Sequence, residues 1–403
     1  MATALNWIAH ALTLVATLYA LLALACRARR YRPAVPAPAC APVTVLKPLC
    51  GMEPGLEANL ATFCVQTAPT YQLVFGVRDQ CDPAIAVVER LKARYPARDI
   101  ALVVDPRVYG SNFKVSNLIN MAAAARHPWL VIADSDIAVE PDYLEKVCAP
   151  LADPAVGIVT CLYRGRPLAS FWSRLGALFI NTWFVPSVRV ASAFGGTAFG
   201  FGATIAMRAD TLAAIGGFQA VRNRLADDFW LGQLSRDRGL VTVISDVCVT
   251  TDVTETDFLA TWRRERRWMQ TIRGISPLGY TFTFVTFTFP MLAIGVCLAP
   301  TQWTMSCALL GVAARLGYHL RTPARGITGT AHAVLAPLRD CLTLLAWLAG
   351  FTGTTTRWRQ QTVPIDTPAA QRASTRGSIQ SPASPAGEMP VNQLNNNVYG
   401  GPE

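Results

Sequence analysis

The sequence predicts an α/β domain with a mainly parallel sheet, placed between an N-terminal transmembrane helix and C-terminal membrane helices. Three observations indicate this fold class. A long apolar run lies near the N-terminus, short apolar runs alternate with helical patterns over residues 43–274, and apolar segments return after residue 280. Only 15% of the 403 residues are charged and 52% are hydrophobic. An average soluble protein carries roughly 25% charged residues, so the composition favours a membrane protein.

The first element is a membrane anchor. Residues 7–26 are almost wholly apolar, and about 20 such residues match a hydrocarbon core of about 30 Å. Arginines follow at positions 27, 29, 30 and 32, and such clusters favour the cytosolic side. A cleaved signal peptide would be shorter and would carry its positive charge before the apolar run. We therefore expect a retained anchor at residues 1–32 and an extended, proline-rich linker at residues 33–42.

The second part is a cytosolic domain at residues 43–274, in which strand-length apolar runs alternate with helical patterns. The strands are expected at residues 43–46, 71–77, 100–104 and 129–133, and the helices at residues 56–65, 84–95 and 115–125. This alternation indicates right-handed βαβ units and a mainly parallel sheet with helices on both faces. Ligands of such sheets bind beyond the carboxyl ends of the strands.

Residues 168–194 differ from the rest of the domain. They are rich in Phe, Trp, Leu and Val, but Arg174 and Arg189 interrupt them, so they make a poor membrane span. Two interpretations stay open. The segment is either an interfacial amphipathic helix that borders the lipid or an ordinary core helix.

The third part is a membrane region at residues 275–360. Residues 280–299 predict a second span and residues 303–320 a third, weaker one. In residues 335–351, Arg339 and Asp340 interrupt the apolar run, which favours a re-entrant or interfacial helix in which these two side chains pair with each other at the interface. Residues 361–403 are rich in Ser, Pro, Gln, Asn and Gly, a composition typical of a disordered tail. We expect a multi-pass protein of a bacterial inner membrane.

Charge and reactive residues exclude several classes of function. The net charge of +10 suits anionic lipids or phosphorylated ligands, whereas nucleic-acid binding is not expected, because no zinc-finger spacing or groove-like basic pattern appears. The 11 cysteines include no C-x-x-C pair, so reduced thiols fit better than disulfides or zinc. With only four histidines in the chain, a histidine base is not expected.

Carboxylates follow two of the predicted strands. Asp79 comes after the second strand, where it could bind a nucleobase or ribose, although aspartates are common in such turns. Residues 130–133 run directly into Asp134-Ser135-Asp136, and the curling chain can bring both carboxylates to one site. Carboxylates bind a nucleoside diphosphate only through a divalent cation, and oxygen ligands of this kind suit Mg²⁺ or Mn²⁺. The cation would neutralise charge on the leaving diphosphate.

A second acidic pair, Asp227-Asp228, adjoins a predicted helix downstream of a glycine-rich segment at residues 195–202. One of the two could be the general base that takes a proton from an acceptor hydroxyl. The pair could equally be the charged first turn of a helix. Lys114, which opens a helix near the same strand ends, could meet a phosphate, or could be surface charge.

The last motif lies on a helix expected at about residues 255–270. Arg264, Arg267 and Trp268 are three and four residues apart and therefore share one face. Two arginines on that face can clamp a diphosphate. The alternative is a basic helix beside the membrane that binds anionic lipids.

Taken in order, these motifs resemble the D, D, D, (Q/R)-x-x-R-W signature of inverting GT-A glycosyltransferases. More narrowly, the chain resembles the ceramide glucosyltransferase family from the anchor to about residue 359. Within that family, the intact Asp134-Ser135-Asp136 and the ending Arg357-Trp358-Arg359 favour the bacterial hopanoid-biosynthesis-associated glycosyltransferases. The stretches that carry the resemblance are Val45-Leu46-Lys47-Pro48-Leu49, Arg78-Asp79-Gln80-Cys81-Asp82-Pro83-Ala84, Lys114-Val115-Ser116-Asn117-Leu118, Asp134-Ser135-Asp136-Ile137, Leu225-Ala226-Asp227-Asp228-Phe229 and Arg264-Glu265-Arg266-Arg267-Trp268.

The resemblance implies a GT-A-type, Rossmann-like nucleotide-sugar domain and a set of roles for these residues. Asp79 would contact the uridine of a UDP-sugar donor. Asp134 and Asp136 would hold the ribose and the diphosphate bound to Mn²⁺ or Mg²⁺. Asp228 would be the catalytic base, with Asp227 beside it.

The resemblance also implies that Arg264, Arg267 and Trp268 close over the diphosphate and the acceptor entrance. The reaction would move a hexose, glucose or N-acetylglucosamine, to a lipid hydroxyl of a hopanoid or ceramide-like acceptor, with inversion in a single displacement. Many polymerising relatives carry Gln where this chain has Arg264, which argues against a sugar polymerase.

Other functions remain open at this point. A processive polysaccharide synthase would differ in the length of its product. A membrane protein that binds a nucleotide sugar or lipid without turnover would be free to lose Asp134, Asp136 and Asp228, which are intact here. A transporter would need more spans and more polar groups at the midplane.

Overall fold

The fold is that of a computed structural model, which describes residues 2–27, 41–168, 170–322, 329–358 and 361–365. The predicted linker at residues 33–42 lies outside the described residues except for its last two positions, and the predicted tail lies outside them from residue 366 onward. The anchor forms one helix, α1 (Ala2–Ala25). Ten of the cysteines lie among the described residues, and all ten are free thiols.

The domain that follows alternates strands and helices. Its elements, in chain order, are β1 (Val43–Pro48), α2 (Leu56–Cys64), β2 (Tyr71–Val77), α3 (Ala84–Arg94), β3 (Asp99–Val104), α4 (Phe113–Ala122), β4 (Trp129–Ile132), β5 (Ile137–Ala138), α5 (Tyr143–Cys148), β6 (Val156–Pro167), α6 (Phe171–Leu178), α7 (Val185–Ala193), β7 (Ile205–Arg208), α8 (Ala209–Ala214), α9 (Asp227–Arg236), β8 (Val241–Val253) and α10 (Phe258–Ile275). The four strands and three helices expected before residue 134 are all present, with ends within three residues of the prediction.

One eight-stranded sheet forms the centre of the domain, in the order β3-β2-β1-β4-β7-β6-β8-β5. Strands β3, β2, β1 and β4 are mutually parallel, whereas β7 runs antiparallel to both β4 and β6. The carboxyl ends of β1, β2 and β4 therefore share one edge, where the topology of an open α/β sheet places ligands.

Side chains that alternate along the strands build a core on each face of the sheet. Val43 and Val45 belong to the core that packs under α2, α3 and α5, whereas Leu46 belongs to the core under α4, α8 and α9. This alternation follows from the two-residue period of a strand. Because both faces are covered, strands β1, β2 and β4 are largely apolar, as the sequence predicts.

The segment at residues 168–194 is part of a core. Helix α6, a π-helical turn (Phe179–Phe184) and α7 make it up. Phe179, Ile180 and Trp183 are buried in one cluster with Met269 and Phe287. The middle of the segment is therefore buried inside the protein, whereas Phe171 and Phe194 near its ends are exposed, and its position relative to the lipid stays a prediction.

The C-terminal region contains α11 (Pro277–Phe282), α12 (Thr288–Leu298), α13 (Gln302–Arg321) and α14 (Gly329–Gly350). By length and hydropathy, two described stretches could cross a membrane, Thr3–Ala25 and Ala333–Gly350. The helical pair of residues 277–286 and 288–298 could make one further span, but it is bent by 73°. The break thus falls in the expected second span, while the predicted re-entrant segment at residues 335–351 belongs to a long helix. The number of crossings stays a prediction.

Small residues bring α1 close to its neighbours. A Cβ atom on Gly295 of α12 would lie 2.1 Å from Thr13 Oγ1, and one on Gly311 of α13 would lie 2.9 Å from Thr17 Oγ1. The Thr17 hydroxyl also donates to the Cys307 carbonyl across 2.9 Å. Close approach at small residues with an interhelical hydrogen bond is typical of helix packing in membranes, so α1 is a packed part of the helical group.

Two buried ion pairs correct the expectation that Arg339 and Asp340 pair with each other. Arg339 donates two hydrogen bonds to Glu265 on α10, at 2.9 and 2.6 Å, and Asp340 pairs with Arg315 on α13. Adjacent residues on a helix point about 100° apart, so each reaches a different neighbour. The two pairs connect α14 to the domain on one side and to α13 on the other.

A short antiparallel hairpin, β9 (Thr355–Trp358) and β10 (Gln361–Pro364), follows α14. The predicted tail therefore begins with a strand. Val363 and Ile365 are buried against Leu225, two residues before Asp227. The start of the tail thus covers the loop that leads into the second acidic pair.

Candidate active site

A cluster of carboxylates around one lysine lies at the carboxyl edge of the sheet. Lys114 Nζ lies 2.7 Å from Asp134 Oδ1 and 3.4 Å from Asp227 Oδ2, and its side chain is only 13% exposed. Burial by itself lowers the pKa of a lysine, but the charges of Asp134, Asp227 and Asp228 outweigh it and hold the pKa of Lys114 well above its ordinary value. Lys114 is therefore a fixed positive charge at the centre of this cluster.

Hydrogen bonds from Asn112 connect the N-termini of helices α4 and α9. Asn112 caps α4, where its Oδ1 accepts from the Val115 amide at 3.1 Å. Its amide nitrogen donates to the Arg224 carbonyl at 2.8 Å and to Asp227 Oδ1 at 3.2 Å. Asp227 opens α9, so this single asparagine sets the distance between Lys114 and the second acidic pair.

Asp228 differs from Asp227 in its partners. Asp228 accepts hydrogen bonds from the backbone amides of Gly202, at 2.6 Å, and Phe229, at 2.8 Å. Burial, followed by the charge of Asp227, raises the pKa of Asp228 to about 7, although Lys114 and the Phe229 amide act in the opposite direction. A carboxyl group with a pKa near neutrality can take and release a proton under ordinary conditions.

The glycine-rich segment closes over the cluster. A Cβ atom on Gly202 would lie 2.8 Å from Asp134 Oδ2, 3.2 Å from Lys114 Nζ and 3.4 Å from Asp228 Oδ2. A Cβ atom on Gly200 would lie 2.4 Å from the Asp228 carbonyl oxygen. Glycine at position 202 therefore lets the backbone approach the carboxylates, and glycine at position 200 lets it approach the backbone of α9 at Asp228.

Strand β8 holds Asp136 through two hydrogen bonds. Its Oδ2 accepts from the Thr251 hydroxyl at 2.7 Å, and its carbonyl accepts from the Asp252 amide at 3.2 Å. Burial, followed by the charge of Asp134, raises the pKa of Asp136 to about 7, whereas the hydrogen bond from Thr251 lowers it. Two negative groups so close together favour a cation between or beside them.

Lys47 and Glu53 bind the Asp134-Ser135-Asp136 turn through hydrogen bonds. Lys47 Nζ donates to the Asp134 carbonyl at 2.8 Å and lies 3.6 Å from the centre of the Phe63 ring. Burial lowers the pKa of Lys47 to about 7, although the carboxylates of Asp136 and Asp134 favour its charged form. The Ser135 hydroxyl donates to Glu53 at 2.7 Å. The turn is thus fixed at all three of its residues.

The residues of the cluster fit a divalent cation that also binds a diphosphate. Within the part of the chain that the structure describes, no three His, Cys, Asp or Glu side chains converge as a complete protein cage would require. Mg²⁺ and related ions in nucleotide sites take one or two carboxylates, and phosphates and water complete their coordination. Asp134 and Asp136 offer that set.

In the last motif, Arg264 and Trp268 have different surroundings. Arg264 Nη1 donates to Glu255 at 2.7 Å, and its other terminal nitrogen packs against Gly176 of α6. The Trp268 ring lies 6.1 Å from the ring of Tyr163 and 5.7 Å from that of Phe184, measured between centroids. Helix α10 begins at Phe258, later than predicted, because Asp257 caps it by accepting from the Ala260 amide.

Two further residues of the predicted site are Asp79 and Arg267. Asp79 is exposed after β2, and its Oδ1 accepts from the Cys81 amide at 2.9 Å. It is at the same carboxyl edge, two strands from Asp134. Arg267 shares the helical face of Arg264 and Trp268, as its spacing requires. The roles of both in binding the donor or the acceptor stay predictions.

Several residues of the site were not found in the sequence. Asn112, Lys47 and Thr251 were not assigned a role, because the partners of these contacts lie 87 or more positions away along the chain. Gly202 could have been found, since a run of glycines before an acidic pair indicates close backbone approach.

The sequence model of glycosyl transferase family 21 matches residues 7–370. Ceramide glucosyltransferase 1 of Caenorhabditis elegans is 25% identical over 236 residues, which are 58% of this chain and 50% of the relative. The ceramide glucosyltransferase of Komagataella phaffii is 32% identical over 101 residues, 24% of this chain and 20% of that one. The matches thus span about half of the length of these curated relatives or less.

A solved structure shows the same fold. The mannosyltransferase PcManGT from Pyrobaculum calidifontis, in complex with GDP-Man and Mn²⁺, superposes with a TM-score of 0.51 at 20% identity, over 87% of this chain and 97% of that one. At this level of identity the likeness concerns the fold alone. It confirms the GT-A-type α/β domain predicted from the order of strands and motifs.

Proposed function

The chain belongs to glycosyl transferase family 21, and we propose that it moves a hexose from a UDP-sugar to the hydroxyl of a membrane lipid. The observation that carries this proposal is the meeting of Asp134, Lys114 and the Asp227-Asp228 pair at one edge of the sheet. The names of the relatives support glucose and a ceramide-like acceptor. N-acetylglucosamine and a hopanoid acceptor are the alternatives within the same proposal.

The donor would bind along the carboxyl edge of the sheet. Asp79 would contact the uridine, and Asp134 and Asp136 would face the ribose and diphosphate. These two carboxylates would hold a Mn²⁺ or Mg²⁺ ion, which neutralises charge on the diphosphate when it is bound. Lys114, already a fixed cation in this cluster, adds a second positive charge beside the same phosphates.

Asp228 would act as the general base. The amides of Gly202 and Phe229 orient its carboxylate, and its pKa of about 7 suits removal of a proton from a hydroxyl near neutral pH. The acceptor oxygen would attack the anomeric carbon as the diphosphate leaves from the opposite face. A single displacement of this kind inverts the anomeric configuration.

The acceptor would approach from the membrane side of the domain. Tyr163, Phe184 and Trp268 form an aromatic wall. Burial, followed by the charges of Asp228 and Asp134, raises the pKa of the Tyr163 hydroxyl well above its ordinary value, which supports a position of this wall beside the carboxylate cluster. Arg264 and Arg267 would close over the diphosphate. In the described conformation Glu255 holds Arg264, so its engagement with a phosphate requires that this pair open.

A transfer assay on the purified chain in detergent tests the proposal. UDP-glucose and UDP-N-acetylglucosamine would be offered with Mn²⁺, Mg²⁺ or a chelator, against ceramide, hopanoid and diacylglycerol acceptors. We expect one sugar per lipid and loss of the product with the chelator. Longer sugar chains would indicate a polysaccharide synthase instead, and donor binding without transfer to any lipid would indicate a binding protein.

The pH dependence follows from the base. The deprotonated form of Asp228 is the active one, and its pKa is raised to about 7. We therefore expect kcat to rise with pH through about 7. At one pH unit below that value, kcat should be about tenfold lower than its plateau at high pH. The pKa of Asp136 is also about 7, so pH is expected to change donor and metal binding as well. The donor Kd is therefore measured at each pH, and kcat is taken at saturating donor and metal. A kcat that stays flat from about pH 6 to about pH 8 would exclude Asp228 as the base.

A further inference from the structure

A cavity of about 250 Å³ lies where the end of α1 meets α7 and α13. No residue of the carboxylate cluster belongs to its wall. The wall combines the apolar end of a helix of membrane length with polar and basic side chains. Its residues include Leu24, Arg27, Arg189, Tyr318, Arg321 and Thr322.

The charge of this cavity is wholly positive. Arg27, Arg189 and Arg321 line it, and among the described residues no carboxylate forms an ion pair with any of the three. The chain segments that supply the wall contain no Asp or Glu at all over residues 1–52, 168–209 and 266–339. Three guanidinium groups around one space repel each other, and an anion in that space removes the repulsion.

We propose that this cavity binds the phosphate group of an anionic phospholipid. Arginine presents a planar fork of donors that matches phosphate oxygens, so three of them form a phosphate site without further polar groups. The inference concerns a second site and does not depend on the proposed sugar transfer.

The surroundings of the cavity favour a lipid over a soluble phosphate. Leu18 of α1 and Leu320 of α13 are exposed, 48% and 56% respectively, in the stretches of these helices that lead to the cavity. Acyl chains of a lipid whose headgroup sits among the arginines would cover such side chains. Arginines also follow α1 directly in the sequence, a charge pattern that favours the cytosolic leaflet for this end of the helix, and anionic lipids are concentrated in leaflets of that kind.

Native mass spectrometry of the full chain in detergent tests this site. The protein would be titrated with phosphatidylglycerol and, separately, with zwitterionic phosphatidylcholine. We expect one saturable phosphatidylglycerol site, which Arg189→Gln and Arg321→Gln each weaken about tenfold, because a charge-assisted hydrogen bond contributes that much to affinity. Arg238→Gln removes the same charge from an exposed position after α9 and is the matched control, with unchanged affinity expected.

Three results would overturn the proposal. The first is equal binding of phosphatidylcholine, and the second is equal weakening by Arg238→Gln, which would mean attraction by net charge alone. The third is binding of inorganic phosphate as tight as that of the lipid, which would make the ligand a soluble anion. Arg321 is exposed at the last position of α13, so Arg321→Gln keeps the test valid even if Arg189→Gln does not fold.

Discussion

Asp228→Asn is expected to lower kcat by about 100-fold to 10,000-fold, the range that a positioned general base contributes. Asparagine has nearly the same shape as aspartate and can still accept the hydrogen bond from the Gly202 amide, but it cannot take up a proton. The donor should bind as before, because Lys114 and Asp134 keep their contact without Asp228. Product formation by mass spectrometry and donor Kd by calorimetry measure the two effects separately.

The choice of Asp228 over its neighbour depends on their partners. Asp227 uses one oxygen for Asn112 and the other for Lys114, so its carboxylate maintains the architecture of the cluster. Asp228 accepts only from the backbone amides of Gly202 and Phe229 in the described contacts. We therefore expect Asp227→Asn to impair folding or donor binding, and Asp228→Asn to impair the chemical step.

Asp237→Asn is the matched control for Asp228→Asn. Asp237 is exposed at the other end of α9 and receives a hydrogen bond from Gln233. The substitution makes the same change of charge on the same helix, away from the cluster, and should leave kcat unchanged. If Asp228→Asn keeps kcat within tenfold of the unmodified chain, the proton must be taken by another group.

The parallel half of the sheet was predictable from sequence because three of its four strands, β1, β2 and β4, are buried on both faces. Residues 43–46 and 71–77 are largely apolar runs for that reason, with only Thr44 and Gln72 polar, and both became strands with almost the predicted ends. The later strands β6 and β8 were not predicted. Each contains several polar residues, as in Cys161 to Arg166 of β6, so their apolar pattern is broken.

The carboxylates of the site could be predicted, but their partners could not. Asp134 and Asp136 end an apolar run, and a strand end is recognisable locally. Lys114, which neutralises Asp134 and Asp227, lies 20 or more positions from both, so the sequence indicated it as a possible phosphate ligand but not as the partner of these carboxylates. Long-range contacts of this kind come from the topology of the sheet, which a local pattern does not encode.

Glu265→Gln is expected to cost about 3–5 kcal/mol of unfolding free energy, because it leaves the buried charge of Arg339 without its partner. The side chains of Glu265 and Arg339 are 3% and 0% exposed, and two hydrogen bonds join them. Arg339 also donates to the Leu175 carbonyl of α6. The pair thus joins α10, α14 and α6 where the domain meets the membrane helices.

A variant of an exposed ion pair and a double variant show whether the lost unfolding free energy comes from the buried unpaired charge. Glu57→Gln breaks the exposed pair with Arg90 and should change the unfolding free energy by less than about 1 kcal/mol. Arg339→Met combined with Glu265→Gln removes both charges and should be less destabilising than the sum of the two single changes. Denaturant unfolding in detergent measures all four variants, and a loss below about 1 kcal/mol for Glu265→Gln would mean that the pair does not hold the helices together.

The Glu265–Arg339 pair is also expected to affect acceptor binding. Glu265 lies between Arg264 and Trp268 on α10, on the face turned towards α14, whereas Trp268 reaches the aromatic wall around Tyr163. If the ion pair fixes the rotation of α10, Glu265→Gln should raise the KM for the lipid acceptor at temperatures where the protein is still folded. An unchanged KM with a lower melting temperature would restrict the pair to a structural role, because the aromatic wall would then keep its position without it.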